Sequence, residues 1–167
     1  MSFPDLTTDR LVLRLWPAEE AAVAAAGERC PHWAADFPGE ADRMIAGRLT
    51  SEPERPHGHY QMIERETGLT VGAIGLKWPP TDGSVEFGYG IAPSRRCRGY
   101  TTEAARALVA FALTAPGVDE VYATVDPANR PSVRVLEKAG LRRDGTVHSD
   151  EGLLHRYVLT AVELIAR

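Results

Sequence analysis

The sequence has little cysteine: two residues in 167, Cys30 and Cys97, with no C-x-x-C pair. Two thiols make neither a disulfide framework nor a zinc ligand set, so the fold has to rest on a hydrophobic core. Long apolar runs are absent as well. The alanine-rich stretch 21–26 follows Glu19 and Glu20 and falls far short of the ~20 residues that span a bilayer. The opening Met-Ser-Phe-Pro-Asp has no basic segment followed by an apolar one, so no secretory leader is expected and the expected location is cytoplasmic, with no membrane partner. Positive charge is not in excess. The formal net charge is -4, which speaks against direct binding to nucleic acid. Two nucleotide signatures, G-x-x-x-x-G-K-[ST] and G-x-G-x-x-G, are missing. There is no internal repeat, low-complexity segment or linker.

What remains is ordinary for a folded domain: 44% apolar and 25% charged residues, enough for one real core over 1–167. Arg10 to Trp16 alternates apolar and basic residues and predicts a half-buried strand. Pro17 to Arg29 and Glu40 to Ser51 predict helices, with an irregular segment from Cys30 to Pro38 between them. Tyr60–Arg65 and Leu69–Trp78 predict a hairpin about Glu66-Thr67-Gly68. After the turn signal Pro79 to Gly83, Ser84–Ala92 predicts a strand with glycines at 88 and 90, a sign of close approach by a ligand or another backbone. Thr101–Thr114 carries an apolar helical stripe, Val121–Val125 predicts a short buried strand, and Asn129–Ala139 a helix capped by Asn129 and closed by Gly140. Leu141–Val147 and Leu153–Ile165 predict two final strands around Ser149 to Gly152. The expected fold is α/β (α+β): one mixed, mostly antiparallel sheet of about six to seven strands with about four helices.

The most informative stretch is Arg95-Arg96-Cys97-Arg98-Gly99-Tyr100-Thr101-Thr102-Glu103-Ala104. It joins a predicted strand to a predicted helix. Helix-start N–H groups lack intrahelical partners, and the helix dipole favours an anion there. A basic, glycine-containing turn on an acidic background suits a small phosphate-bearing ligand.

Two motifs resemble those of the GNAT superfamily of acyl-CoA-dependent N-acetyltransferases. They are Arg96-x-x-Gly99-x-Thr101 and Asn129-x-x-Ser132, the latter followed by Leu136-Glu137-Lys138-Ala139-Gly140-Leu141. They lie roughly 30 residues apart with a strand between them, and the resemblance covers nearly the whole chain. It is similar above all to the subgroup named for acetyltransferases of ribosomal-protein N-termini (RimJ/RimL-like). The resemblance implies acetyl-CoA as acyl donor and no metal. It implies a primary amine as acceptor, a small molecule or a protein N-terminus, and a possible homodimer. It puts the donor against Ile91, Ala92, Arg96, Cys97, Arg98, Gly99, Tyr100, Thr101, Thr102, Asn129 and Ser132. It offers Glu86 as general base in contact with the acceptor, and Trp33 and Phe37 as acceptor-site neighbours.

The chain departs from the family pattern at three places. Cys97 and Thr101 stand where glycine or a smaller residue is usual, so each adds a side chain at the loop. Leu136 stands where many relatives have a tyrosine that protonates the leaving thiolate; leucine cannot, and the subgroup pattern points to Ser132 instead. Each residue also has a plainer reading: Glu86 as an exposed strand residue, Ser132 as a first-turn serine bonding backbone N–H groups, Asn129 as a helix cap, Trp33 and Phe37 as core. Cys97 reads as a bystander, since direct transfer needs no acyl-enzyme. His57 and His59 lack a third metal ligand at useful spacing. The alternative to an enzyme is a catalytically inactive acyl-CoA-binding regulatory module.

Overall fold

A computed structural model describes residues 1–166. The chain runs β1 (Leu6–Thr7), β2 (Leu11–Leu15), α1 (Ala18–Ala25), α2 (Glu40–Ser51), β3 (Gly58–Glu64), β4 (Thr70–Leu76) and β5 (Ser84–Ile91). Then come α3 (Tyr100–Ala112), β6 (Glu120–Val125), α4 (Arg130–Lys138), β7 (Arg142–Ser149), β8 (Gly152–Thr160) and α5 (Ala161–Ile165). A short 3-10 turn, Pro93–Arg95, follows β5. The eight strands form one sheet in the order β1-β2-β3-β4-β5-β6-β8-β7. Only β5 and β6 are parallel; every other pair is antiparallel.

Period-two alternation sorts the strand residues between two helical layers. Leu11, Leu13, Tyr60, Met62, Ile74, Leu76 and Phe87 are buried on the face where α3 packs against β2, β4 and β5. The apolar stripe of α3, Ala104, Ala105, Leu108, Val109 and Ala112, is buried in return. Arg14 and Gln61 alternate to the opposite face, where both bond Glu20 of α1 at 2.7 Å and 3.2 Å. Trp16, Trp33 and Phe37 complete that second layer, with ring centroids 5.7–6.1 Å apart.

The structure differs from the sequence expectation in three ways. A two-residue strand, β1, precedes the first expected one and raises the count to eight. α1 ends at Ala25 instead of Arg29. The last expected strand stops at Thr160, because the Thr160 side chain accepts the Glu163 N–H at 3.1 Å and caps a fifth helix. Among the described residues no helix is long and apolar enough to cross a membrane.

Candidate active site

The parallel pairing of β5 with β6 is short. It covers Ser84, Val85 and Glu86 against Glu120, Val121 and Tyr122. Beyond Glu86, β5 stays bonded to β4 as far as Ile91, while β6 continues along β8 to Val125. The sheet therefore splits at the C-terminal ends of two parallel strands, where such sheets hold ligands. Gly88 and Gly90 lie in the split stretch, and a Cβ on either would meet nothing within 4 Å. Their glycines keep space clear.

At the end of β5 the chain enters the basic loop. Cys97 has φ 63° and Gly99 φ 80°, both left-handed, a conformation that re-aims successive backbone N–H groups. α3 starts at Tyr100 with no side-chain cap, so its first-turn N–H groups stay available for an anion. This backbone suits a phosphate. The three loop arginines are not equivalent. Arg95 Nε lies 3.1 Å from Glu64 Oε2. The Arg98 guanidinium stands 3.8 Å from the same oxygen, and its carbonyl accepts Arg10 at 2.7 Å. Arg96 is exposed and lines a cavity beside the split.

That cavity has a volume of about 430 Å³. It lies between α2 and the sheet and is lined by Trp16, Asp36, Ile45, His59, Lys77, Gly88, Tyr89 and Ile91, among others. Burial and the nearby charges of His57, Arg48 and Lys77 hold His59 down at about 4, so its ring is neutral at pH 7. Glu86 shares a strand face with Gly88 and Gly90 by alternation. Its carboxylate accepts Lys77 Nζ at 2.7 Å and 3.0 Å. Asp36 accepts the Ser94 N–H at 2.7 Å and the Ser94 hydroxyl at 2.8 Å. That clasp ties the segment before α2 to the basic loop.

Across the split, α4 begins at Arg130 behind Asn129, whose side chain accepts the Ser132 N–H at 3.4 Å. Ser132 Oγ is 2.5 Å from the Tyr89 hydroxyl, which also donates to the Ser132 carbonyl at 3.2 Å. Burial pushes the Tyr89 phenol up, opposed by the Ser132 bond, so Tyr89 holds its proton at neutral pH. Leu136 is fully buried.

The structure thus brings Ile91, Arg96, the loop and the Tyr89–Ser132 pair around one split. Thr102 faces a shallower depression on the flank of α3, and Ala92 and Thr101 are buried beneath the loop. Trp33 and Phe37 are 3% and 1% exposed and reach the cavity through Trp16, against which both pack. Sequence reading missed Tyr89, Lys77, Trp16, His59 and Asp36. Only Tyr89 had a signal, as the one side chain between Gly88 and Gly90. Glu20, Cys30 and His32 also bring metal-type donor atoms within 4.8 Å of one another. The Glu20 carboxylate is already taken by Arg14, Trp33 and Gln61.

A split mixed sheet with a basic strand-to-helix loop at its mouth offers a phosphate-bearing ligand a receptor beside a cavity. The chain belongs to the GNAT acetyltransferases: the family described as Acetyltransferase (GNAT) domain matches residues 10–142. The uncharacterized N-acetyltransferase p20 of Bacillus licheniformis is 24% identical over 160 residues, covering 87% of this chain and 86% of p20. Two solved structures share the fold. AAC(6')-Ib in complex with ribostamycin and coenzyme A has a TM-score of 0.71 at 23% identity, covering 94% of this chain and 97% of that one. RimL, a ribosomal-protein alpha-N-acetyltransferase in complex with coenzyme A, has 0.71 at 12%, covering 94% and 98%.

Proposed function

We propose that this acetyltransferase moves the acetyl group of acetyl-CoA to a primary amine by direct attack on the thioester. The observation that carries the reading is the split between β5 and β6, with the basic loop at its mouth and a cavity of about 430 Å³ beside it. A pyrophosphate on the loop backbone lets the pantetheine arm follow the free edge of β5 past Ile91 and Gly90. The thioester then meets an amine in the cavity.

A primary amine of pKa about 10 is mostly protonated at neutral pH and must lose a proton before it attacks. In this reading Glu86, held by Lys77, takes the proton from the attacking nitrogen. The amine lone pair forms the new C–N bond as the C–S bond breaks. The Ser132 hydroxyl, bonded to Tyr89, gives a proton to the leaving sulfur, whose thiol pKa near 8.5 demands only modest help. The acceptor is a small-molecule amine or a protein N-terminus. The Asn129-x-x-Ser132 motif and the buried Leu136 support placement in the RimJ/RimL-like subgroup.

The test is calorimetric titration with acetyl-CoA, followed by thiol release from acetyl-CoA over a panel of amines and peptide N-termini. Binding with turnover of at least one amine is expected. Binding without turnover would favour the inactive acyl-CoA-binding module, the reading that Cys97, Thr101 and Leu136 motivate. No binding would overturn both.

A further inference from the structure

Glu64 is a carboxylate in a core position. It pairs in register with Leu11 and alternates onto the same sheet face as Tyr60 and Met62. It is 1% exposed. A bare carboxylate there is costly, and it persists only when several donors satisfy it. Thr67 donates to Oε1 at 2.7 Å, Tyr100 to Oε2 at 2.8 Å, and Arg95 to Oε2 at 3.1 Å. Arg98 stands 3.8 Å away. Burial alone would raise its pKa, but the bonds from Thr67, Arg95 and Tyr100 and the Arg95 charge override that and hold it at about 2.

Three of these four partners belong to the basic loop or the first residue of α3. A register shift near the end of β3, between Met62 and Ile63, falls just before Glu64. The contacts hold the loop through the side chains of Arg95 and Tyr100, from a carboxylate in the core. They also fix the charge inventory. Arg95 is committed to Glu64 and Arg98 partly so, which leaves Arg96, among the described residues, as the exposed loop cation open to a ligand.

We infer that Glu64 is the positioning residue of the donor loop: it anchors Arg95, Arg98 and Tyr100 so that the loop presents its N–H groups to the pyrophosphate before the donor arrives. This rests on the reading of the loop as the acetyl-CoA site. Preorganisation lowers the ordering cost of binding. A buried carboxylate under an anion site would otherwise repel the ligand, and its neutralisation by Arg95 removes that penalty.

The test is Glu64→Gln, which keeps the shape and removes the charge, measured beside wild type by titration with coenzyme A and by steady-state kinetics. Loss of the charged bonds is expected to weaken coenzyme A binding and raise KM for acetyl-CoA about tenfold. The kcat at saturating acetyl-CoA and the KM for the amine should stay within about twofold. Tyr100→Phe removes one donor only, is expected to show a smaller shift in the same direction, and decides the matter if the Gln variant does not fold. Unchanged affinity in the folded variants, or a lowered melting temperature with no change in affinity, would leave Glu64 a fold residue and overturn the inference. Tighter binding would also overturn it, since Glu64 would then act as an electrostatic brake. If wild type itself does not bind coenzyme A, the loop reading fails rather than the role of Glu64.

Discussion

The two sides of the β5–β6 split are built differently. On the loop side the flanking side chains are braced from within: Glu64 holds Arg95 and Tyr100, Asp36 holds Ser94, and Arg10 holds the Arg98 carbonyl. On the cavity side the walls include glycines, Trp16, Ile45, a neutral His59 and Lys77, which is bonded in turn to Glu86. On the proposed reading, the loop side is set in advance for one ligand chemistry. The cavity side is defined by what is left out of it. A common donor rewards a rigid receptor, whereas acceptor choice is set by the shape of space.

The sharpest way to break this contrast is to damage the cavity side alone. Glu86→Gln is expected to lower kcat on the order of 10²–10⁴-fold, the usual worth of a general base. Affinity for coenzyme A, measured by titration, should stay the same. A mutant with wild-type turnover would remove Glu86 from proton transfer. Gly88→Val is the steric counterpart. Its Cβ meets nothing within 4 Å, so the backbone tolerates it, and the branched side chain enters the split. Turnover should fall by about 10² while the melting temperature holds, because displacing the reacting groups by an ångström is that costly. Retained activity would mean that the thioester runs elsewhere.

Legibility followed the same division. The loop, α3 and the Asn129 cap were readable because their chemistry is contiguous: a helix start, a turn and their N–H groups occupy neighbouring residues. The cavity was not, because Trp16, Asp36, His59 and Lys77 come from separate elements and meet only through strand register. Tyr89 makes the point most plainly. From sequence it is a strand aromatic; the short pairing of β5 with β6 is what puts its hydroxyl 2.5 Å from Ser132 Oγ. Glu64 was hidden for the opposite reason, since a charged residue closing a strand reads as solvent-facing until the register puts it in the core. The end of β8 was misread because Thr160 caps a helix with a sequence, Ala161–Ile165, that is apolar enough to continue a strand.

The Tyr89–Ser132 bond spans the split and tests whether its halves act as one unit. Ser132→Ala and Tyr89→Phe are each expected to cost about tenfold in kcat, the worth of one hydrogen bond in a partly buried site. The double variant should cost little more than either single one if the pair works together. Simple additivity would assign the two residues separate roles.

The loop side has its own pH signature. Glu64 titrates at about 2 in the fold against an ordinary 4.5. A depressed folded value means that its stabilisation is fully present above about pH 4.5 and is lost as pH falls towards 2. Melting temperature followed from pH 6 to pH 2 should drop more steeply for wild type than for Glu64→Gln. Parallel curves would mean that the carboxylate is not held as the geometry indicates.

The smallest expected effect concerns Cys97, the one place where the braced loop carries strain. Its φ of 63° lies in the left-handed region, which costs an L-residue roughly 1–2 kcal/mol. Its side chain is exposed, so little packing is lost by removing it. Cys97→Gly relieves that strain, but glycine's freer unfolded chain takes back about 0.5–1 kcal/mol. The net gain is therefore below about 1 kcal/mol, a rise of a few degrees in melting temperature for a domain of this size. Affinity for coenzyme A should tighten slightly, because the loop backbone can then approach the ligand without a thiol between them. A fall in both quantities would show that Cys97 is itself part of the brace. The loop would then be fully set by its own side chains, and the contrast with the open cavity would be wider than the hydrogen bonds alone indicate.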